Sequence, residues 1–576
     1  MTTMTTMSGA RTGTANLARR LAARALARDL TAFVAPGLEV ARAYGLEPAE
    51  AGLRVVPTPR HAAVLLLVGE IPPGLRAATA VVYAQMTRPR AIIALGTDGA
   101  PPLPAPDVAA ALDQAALVAG VEELRRIIAS GAWTPDAPVF DAPDVQPKED
   151  DGGGMDHGGM DHGGMDHGGV DHGGMDHGGV DHGGMDHGAM SGDTDGGGEG
   201  KGDGGEGKGD GSGDRGGMDM DMGGGGMSMV MMTKDLPRSP DGLPMEWVEA
   251  PVGPLFPGLP GGLDLSFTLD GDVVAAATVA PGTLGRELDA TWAGPVATLP
   301  ERLALLDPLT PVAYRLLAVG ALEDAVGVVV DTAMAARRVG ALERERAASH
   351  LGWLALFADL LGDRWIAGRA AALQLALLRT DDVAAIERLH SVVGAFARRV
   401  RHTPYLRRRL AGIGTSRADK DLSTGGARFT AGSLPRGPVA RAARLADDAR
   451  ADDPVYRRLG FVPVVRDGND AWSRLDVRLT ELEQSLDLVL AVGAVVIPER
   501  LLSAGVGGTG GATVETPRGA ATLRLTVADG LARAVVVDTP SAHNLRLVKS
   551  VAEGREMADA LVGVASLDLS PWEMDR

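Results

Sequence analysis

Residues 53–96 read "LRVVPTPRHAAVLLLVGEIPPGLRAATAVVYAQMTRPRAIIALG". Three apolar, β-branched segments in it, 53–59, 62–69 and 90–96, are bounded by proline and glycine and read as strands. The stretch between the last two has helical spacing, and a further helix is expected over 107–131, ending at a glycine. Apolar strands without polar alternation, joined through helices, predict a small parallel sheet covered on both faces. The loop after the second strand is "GEIPPG". It holds neither a GxGxxG turn nor a P-loop, so no nucleotide-phosphate cradle is expected.

Upstream, residues 1–30 are arginine-rich and lack the apolar core of a secretory signal; they read as an amphipathic first helix. Downstream, composition changes abruptly. Residues 155–188 contain seven copies of a (M/V)DHG-type unit, placing His157, His162, His167, His172, His177, His182 and His187 at every fifth position. Imidazole and thioether groups favour copper, and imidazole alone accepts nickel or zinc, so weak adventitious Cu, Ni or Zn binding is expected there. Such a glycine-rich chain has almost nothing to bury. Ordering it costs roughly 1–2 kcal/mol per residue fixed. A coil of about 80 residues spans about 50 Å, enough to join two docked domains. The segment reads first as a tether and second as a metal buffer.

Beyond it, "LDLSFTLDGDVVAAATV" (263–279) and "ATLRLTVADGLARAVVVDT" (521–539) are each two alternating strands around an Asp-Gly turn. Apolar helical stretches lie between them at 309–330, 341–362, 364–379 and 471–493. The expected architecture is an α/β small parallel-sheet domain at 1–145, then a disordered Gly/Met/Asp/His-rich linker at 146–230. An α+β domain at 231–576 follows, a helical bundle with terminal β hairpins.

Composition narrows the function classes. The 576-residue chain has 56 basic and 75 acidic side chains, a net charge of −19, and 3% aromatics. That pattern argues against nucleic-acid binding. Cysteine is absent, which excludes disulfides, thiolate-bound zinc and cysteine-ligated clusters. No run of eighteen apolar residues occurs, so no membrane span is expected. The expected compartment is the cytoplasm.

The flanks of the repeat resemble two touching subunits of one family. "PTPRHAAVLLLVGEIPPGLRAATAVVYAQMTRPRAIIALGTDGA" resembles the small, cluster-bearing subunit of respiratory complex I and of group 4 membrane-bound [NiFe]-hydrogenases, a likeness covering roughly 30–145. "GPLFPGLPGGLDLSFTLDGDVV", "LDPLTPVAY", "ERERAASHLGWLALFADLLG", "GNDAWSRLDVRLTELEQSL", "VETPRGAATLRLTVADG", "DTPSAHNL" and "SLDLSPWEMDR", in family order over roughly 240–576, resemble the large subunit, which forms the quinone pocket in complex I. The resemblance implies a fusion of the two.

At the family's functional positions this chain departs. Asp98 in "GTDGA" stands where the small subunit has a cluster thiolate. The nickel-binding cysteine pairs of the hydrogenase large subunit fall at Asp307 and Thr310 and at Ser570 and Glu573, with Asp568, Asp575 and Arg576 retained around the second pair. The quinone-pocket histidines fall at Phe256 and Pro260, and the quinone tyrosine at Pro308. Nickel and iron–sulfur chemistry need soft thiolates, and quinone reduction needs proton donors. The positions therefore read as degenerate, with no cofactor expected. If Asp307, Thr310, Ser570 and Glu573 converge, they form either a hydrogen-bonded plug or a site for a hard cation such as Mg²⁺. His350 reads as a packing histidine, Asp98 as a turn cap, and His543 as a seat for the C-terminal segment.

The resemblance implies a peripheral, non-catalytic subunit on the inner face of the cell membrane. Its expected partners are membrane-embedded antiporter-like and complex I-like subunits, through which alone it contacts the membrane. The alternative is a metal-handling protein acting through the repeat. The two domains are expected to meet around Asp98, Phe256 and Pro308, closing the former quinone chamber without leaving a cavity.

Overall fold

The computed structural model describes residues 22–130, 247–280, 282–285, 292–415, 434–497 and 507–574. The seven repeat histidines, together with Asp575 and Arg576, lie outside the described residues.

The first region is a five-stranded, all-parallel sheet in the order β2-β1-β3-β4-β5. Its strands are β1 (Leu30–Ala35), β2 (Leu53–Val55), β3 (Val64–Val68), β4 (Ala91–Leu95) and β5 (Val108–Ala110). Every residue of β3 and β4 is buried, as continuous apolar runs covered on both faces require. Helices α1 (Leu38–Ala43), α2 (Pro73–Gln85) and α3 (Gln114–Ser130) make the crossovers and the cover. The expected helix over 107–131 is shorter, because its first residues form β5 and the helix begins only at Gln114. Two aspartates set that boundary. Asp107 Oδ2 accepts from Ile92 N of β4 at 2.8 Å, and Asp113 Oδ1 accepts from Ala116 N at 2.8 Å, the contact of an N-terminal cap.

In the second region, β6 (Val248–Val252), β7 (Leu265–Asp270) and β8 (Val273–Val279) form one antiparallel sheet. A second has the order β10-β11-β12-β9, built from β9 (Gly294–Pro295), β10 (Gly508–Thr516), β11 (Gly519–Ala528) and β12 (Leu531–Asp538). Both expected hairpins are present within these sheets. At the β11–β12 turn Asp529 and Gly530 have φ of 53° and 72°, the pair of positive values that a two-residue hairpin turn demands. The glycine-rich β10 looks like a loop in sequence but packs closely on a helix. A Cβ at Gly510 would lie 2.3 Å from the carbonyl oxygen of Ala321.

Between the sheets lies the bundle: α4 (Pro311–Val326), α5 (Thr332–Leu360), α6 (Arg364–Leu378), α7 (Val383–Arg401), α8 (Leu406–Leu410), α9 (Gly437–Ala442), α10 (Ala471–Val492) and, near the C-terminus, α11 (Met557–Ala565). Asp331, Asp363, Asp382 and Asp470 cap α5, α6, α7 and α10 by accepting from backbone N–H groups of the first turn, each worth about 1 kcal/mol. Among the described residues no helix is long and apolar enough to cross a membrane.

The described residues on either side of 147–232 pack as one compact unit. Leu284 and Trp572 of the second region are buried in the apolar core of the first. Gly261 makes the tightest approach: a Cβ there would sit 1.8 Å from the carbonyl oxygen of Pro36.

Candidate functional site at the seam

Four side chains that the resemblance places at nickel-ligand positions converge. Asp307, Thr310, Ser570 and Glu573 are all fully buried. Thr310 Oγ1 donates to Asp307 Oδ2 at 2.8 Å, and Ser570 Oγ donates to Asp307 Oδ1 at 3.3 Å. The same carboxylate accepts from Leu309 N at 3.0 Å and from Arg518 Nη1 at 2.8 Å. Glu573 accepts from Tyr314 OH at 2.8 Å and from Ser541 N at 3.1 Å; the Ser541 hydroxyl also donates to it. Arg518 Nε lies 3.3 Å from Asp568 Oδ1. Four separate segments of chain, around 307–314, 518, 541 and 568–573, are thereby tied together.

Electrostatics here follow from burial. Burial, with the nearby negative charge of Asp307, pushes Glu573 up to about 7. The Tyr314 phenol is also raised, first by burial and then by Glu573. Glu345 accepts from Val312 N and Ala313 N at the start of α4, at 2.6 and 2.8 Å, and burial pushes it up to about 8. The donor set is all oxygen, with a guanidinium already against the central carboxylate. That set does not fit nickel or an iron–sulfur cluster, which take thiolates. Among the described residues no group of three or more His, Asp or Glu side chains is arranged to hold a metal ion.

A cavity of about 630 Å³ lies at the seam between the two regions. Phe33, Glu39 and Arg42 line it from the first region, and Phe256, Leu356 and Gln374 from the second. The expectation of a closed chamber is therefore corrected. Gly258 and Gly352 lie on its wall without side chains to fill it. Phe256 is only half-buried and lines this space. A second void of about 40 Å³ shares Glu39 and Gln374 with the first and reaches inward to Arg518 and Asp568. Glu39 Oε1 accepts from Gly261 N at 2.8 Å, and burial raises its carboxyl. Gln374 Oε1 and Asp568 Oδ2 have no hydrogen-bond partner.

Other expected positions fall elsewhere. Asp98 is exposed, and the turn after β4 is closed by Thr97, whose Oγ1 donates to Gly99 O at 3.0 Å. Asp98 is thus not the cap. Pro308 is buried beside Asp307, and Pro260 lines the smaller void. The seam runs through Pro36, Glu39, Glu50, Gly261 and Arg379. Arg379 Nη1 pairs with Glu50 at 2.9 Å, and Arg379 Nε donates to Gly45 O at 2.9 Å. His543 Nε2 lies 2.7 Å from Asp538 Oδ1. The C-terminal segment is seated instead by its neighbours Thr539 and Ser541, which bond Glu573. His350 is buried with Nε2 3.0 Å from Glu481 Oε2 and Nδ1 without a partner.

Sequence reasoning assigned Arg518 no role, although it sits in the quoted "VETPRGAATL" motif. It also missed a second buried ionic network joining α5, α9, α10 and β10. There Arg441 donates to Glu481 and Glu515 at 2.8 Å each, while Arg346 pairs with Glu343 at 3.1 Å. Arg441, Glu481 and Glu515 lie far apart in sequence and meet only in three dimensions.

Residues 372–500 match the family described as respiratory-chain NADH dehydrogenase, 49 kDa subunit. An NADH-quinone oxidoreductase subunit of Desulfotalea psychrophila is 36% identical over 152 residues, 24% of this chain and 40% of that relative. The corresponding subunit of Geobacillus thermodenitrificans is 27% identical over 362 residues, 56% of this chain and 97% of that relative. By sequence, the second region is similar to the large subunit of complex I. In fold, the chain resembles a chain in a structure of the membrane-bound sulfane sulfur reductase, an archaeal respiratory membrane complex. The TM-score is 0.51 at 23% identity, covering 57% of this chain and 99% of that one.

Proposed function

We propose that this chain is a peripheral subunit of a membrane-bound, complex I-related assembly, in which small-subunit-like and large-subunit-like regions are fused, and that it works without a redox cofactor. The observation that carries this reading is Arg518 against Asp307, closed in by Thr310, Ser570 and Tyr314. A guanidinium and hydroxyls fill the place where the resemblance puts thiolates. The similarity to NADH-quinone oxidoreductase subunits supports membrane-embedded, complex I-like partners; antiporter-like subunits among them, and attachment at the inner face of the membrane, are part of the same proposal.

The test uses tagged full-length protein extracted from native membranes in mild detergent. Multi-spanning subunits should co-purify. A variant lacking 155–188 should carry no stoichiometric iron or nickel by elemental analysis. Stoichiometric metal in that variant overturns the cofactor-free reading. Recovery solely from the soluble fraction, without partners, overturns the subunit reading and favours metal handling by the repeat.

A further inference from the structure

One end of the bundle is built from the last turn of α5, the first of α6, the last of α7, all of α8 and the first of α10. Arg409 Nη2 donates to Leu361 O at 3.2 Å, linking α8 to the α5–α6 corner. Arg399 lies 5.9 Å from the Trp365 ring of α6, and Arg407 lies 5.8 Å from the Trp472 ring of α10. These contacts place Arg399, Arg407 and Arg409 at this end of the bundle, and their chain neighbours Arg398 and Arg408 are exposed like them. Among the described residues none of the five is in an ion pair. The patch is basic in a chain whose net charge is −19.

Stability accounts for only part of it. Arginines in the last turn of α7 complement the helix dipole, and Arg401 does so while turned inward onto Asp476 and Glu483 at 2.8 and 2.9 Å. Arg364, also exposed, opens α6, where a cation opposes the dipole. Two large aromatics share this surface: Trp365 is 56% exposed and Tyr405 71% exposed. Tyr405 adopts a φ of 63°, a left-handed conformation costing a non-glycine residue roughly 1–2 kcal/mol. Burial returns nothing to so exposed a ring. Arg364 also lines the 630 Å³ seam cavity, so the patch adjoins it.

We infer that this end of the bundle rests directly on an anionic lipid surface, with the arginines on headgroup phosphates and Trp365 and Tyr405 in the headgroup–acyl boundary. Arginine with interfacial indole and phenol rings is the chemistry such a surface selects. An acidic protein loop would match the charge but offers the two exposed rings no apolar layer.

The experiment is flotation of the purified full-length chain with vesicles of two parts phosphatidylcholine to one part phosphatidylglycerol, and with phosphatidylcholine alone. Binding should need the anionic lipid and weaken with added salt. Gln at 407, 408 and 409 together (R407Q/R408Q/R409Q) should weaken it on the order of a hundredfold. W365S/Y405S should weaken it about tenfold at unchanged charge. Wild-type melting temperatures would show both variants folded. Binding to neither vesicle, equal binding to both, or a triple variant that binds normally overturns the inference. If the triple variant loses its co-purifying membrane subunits while no vesicle binds, the patch docks an acidic protein instead, and the subunit reading stands alone.

Discussion

Arg518 Nη1 donates to Asp307 Oδ2 across 2.8 Å, with both side chains almost wholly removed from solvent. Buried ions are tolerated only when paired and hydrogen-bonded, and this pair meets both conditions. Asp568 and Glu573 flank the same guanidinium at 3.3 and 3.9 Å. The surrounding carboxylates outweigh burial and hold the guanidinium's proton more firmly than usual.

Replacing Arg518 by Leu leaves Asp307 and Asp568 without their cation. Stability to urea should fall by about 3–5 kcal/mol, the usual consequence of stranding a buried charge. Arg518→Leu combined with Asp307→Asn should lose less than the sum of the single changes. Additive losses would mean that the two side chains are not coupled.

Glu573 titrates near 7 when folded, against 4.5 for an ordinary glutamate. A raised acid pKa means that the folded state holds the proton more tightly. Its contribution is fully present below about pH 4.5 and is lost as pH rises through about 7. Wild type should therefore lose about 3 kcal/mol relative to Glu573→Gln between about pH 5 and about pH 8. Glu345, raised to about 8, extends the loss to higher pH. His350 works oppositely: burial lowers its pKa below 6.5, so its contribution is present above that value and lost as pH falls. Chemical denaturation of both proteins across this range measures the difference, and parallel pH profiles would contradict it.

Gly261→Ala puts a methyl group into the carbonyl oxygen of Pro36. The seam must open to admit it, at a cost of about 1–3 kcal/mol. Limited proteolysis should become faster within 36–39 and around Gly261, which face each other there. Unchanged cleavage would show that the loop yields without disturbing the seam.

Substituting Ser for His157, His162, His167, His172, His177, His182 and His187 should abolish weak Cu²⁺ and Ni²⁺ binding, read by isothermal titration. The melting temperature should not move. A lowered melting temperature or lost co-purification would give the repeat a structural part beyond tethering.

The raised carboxyls of Glu573 and Glu345 could not be foretold from sequence, and Arg518 and Asp307 are separated by 211 residues. The elements themselves are far more legible. "VLLLV" and "AIIAL" announce buried parallel strands because nothing in them is polar enough to face water. Asp529–Gly530 announces its hairpin because both residues tolerate the backbone the turn needs. By contrast β1 and β5 escape a reading of local pattern. β5 has only three residues and runs directly into a helical pattern, and β10 carries the glycines that close packing on α4 requires.

By itself the sequence determined the fold class of both regions and the absence of any thiolate. Each of these depends on residue type and local spacing. Only the tertiary structure decided that Asp307, Thr310, Ser570 and Glu573 close around Arg518, and that a 630 Å³ cavity persists beside Phe256. It alone also decided that arginines from separate helices form one exposed face. These outcomes depend on which distant segments pack together and on how completely their side chains fill the space between them, and local pattern carries neither.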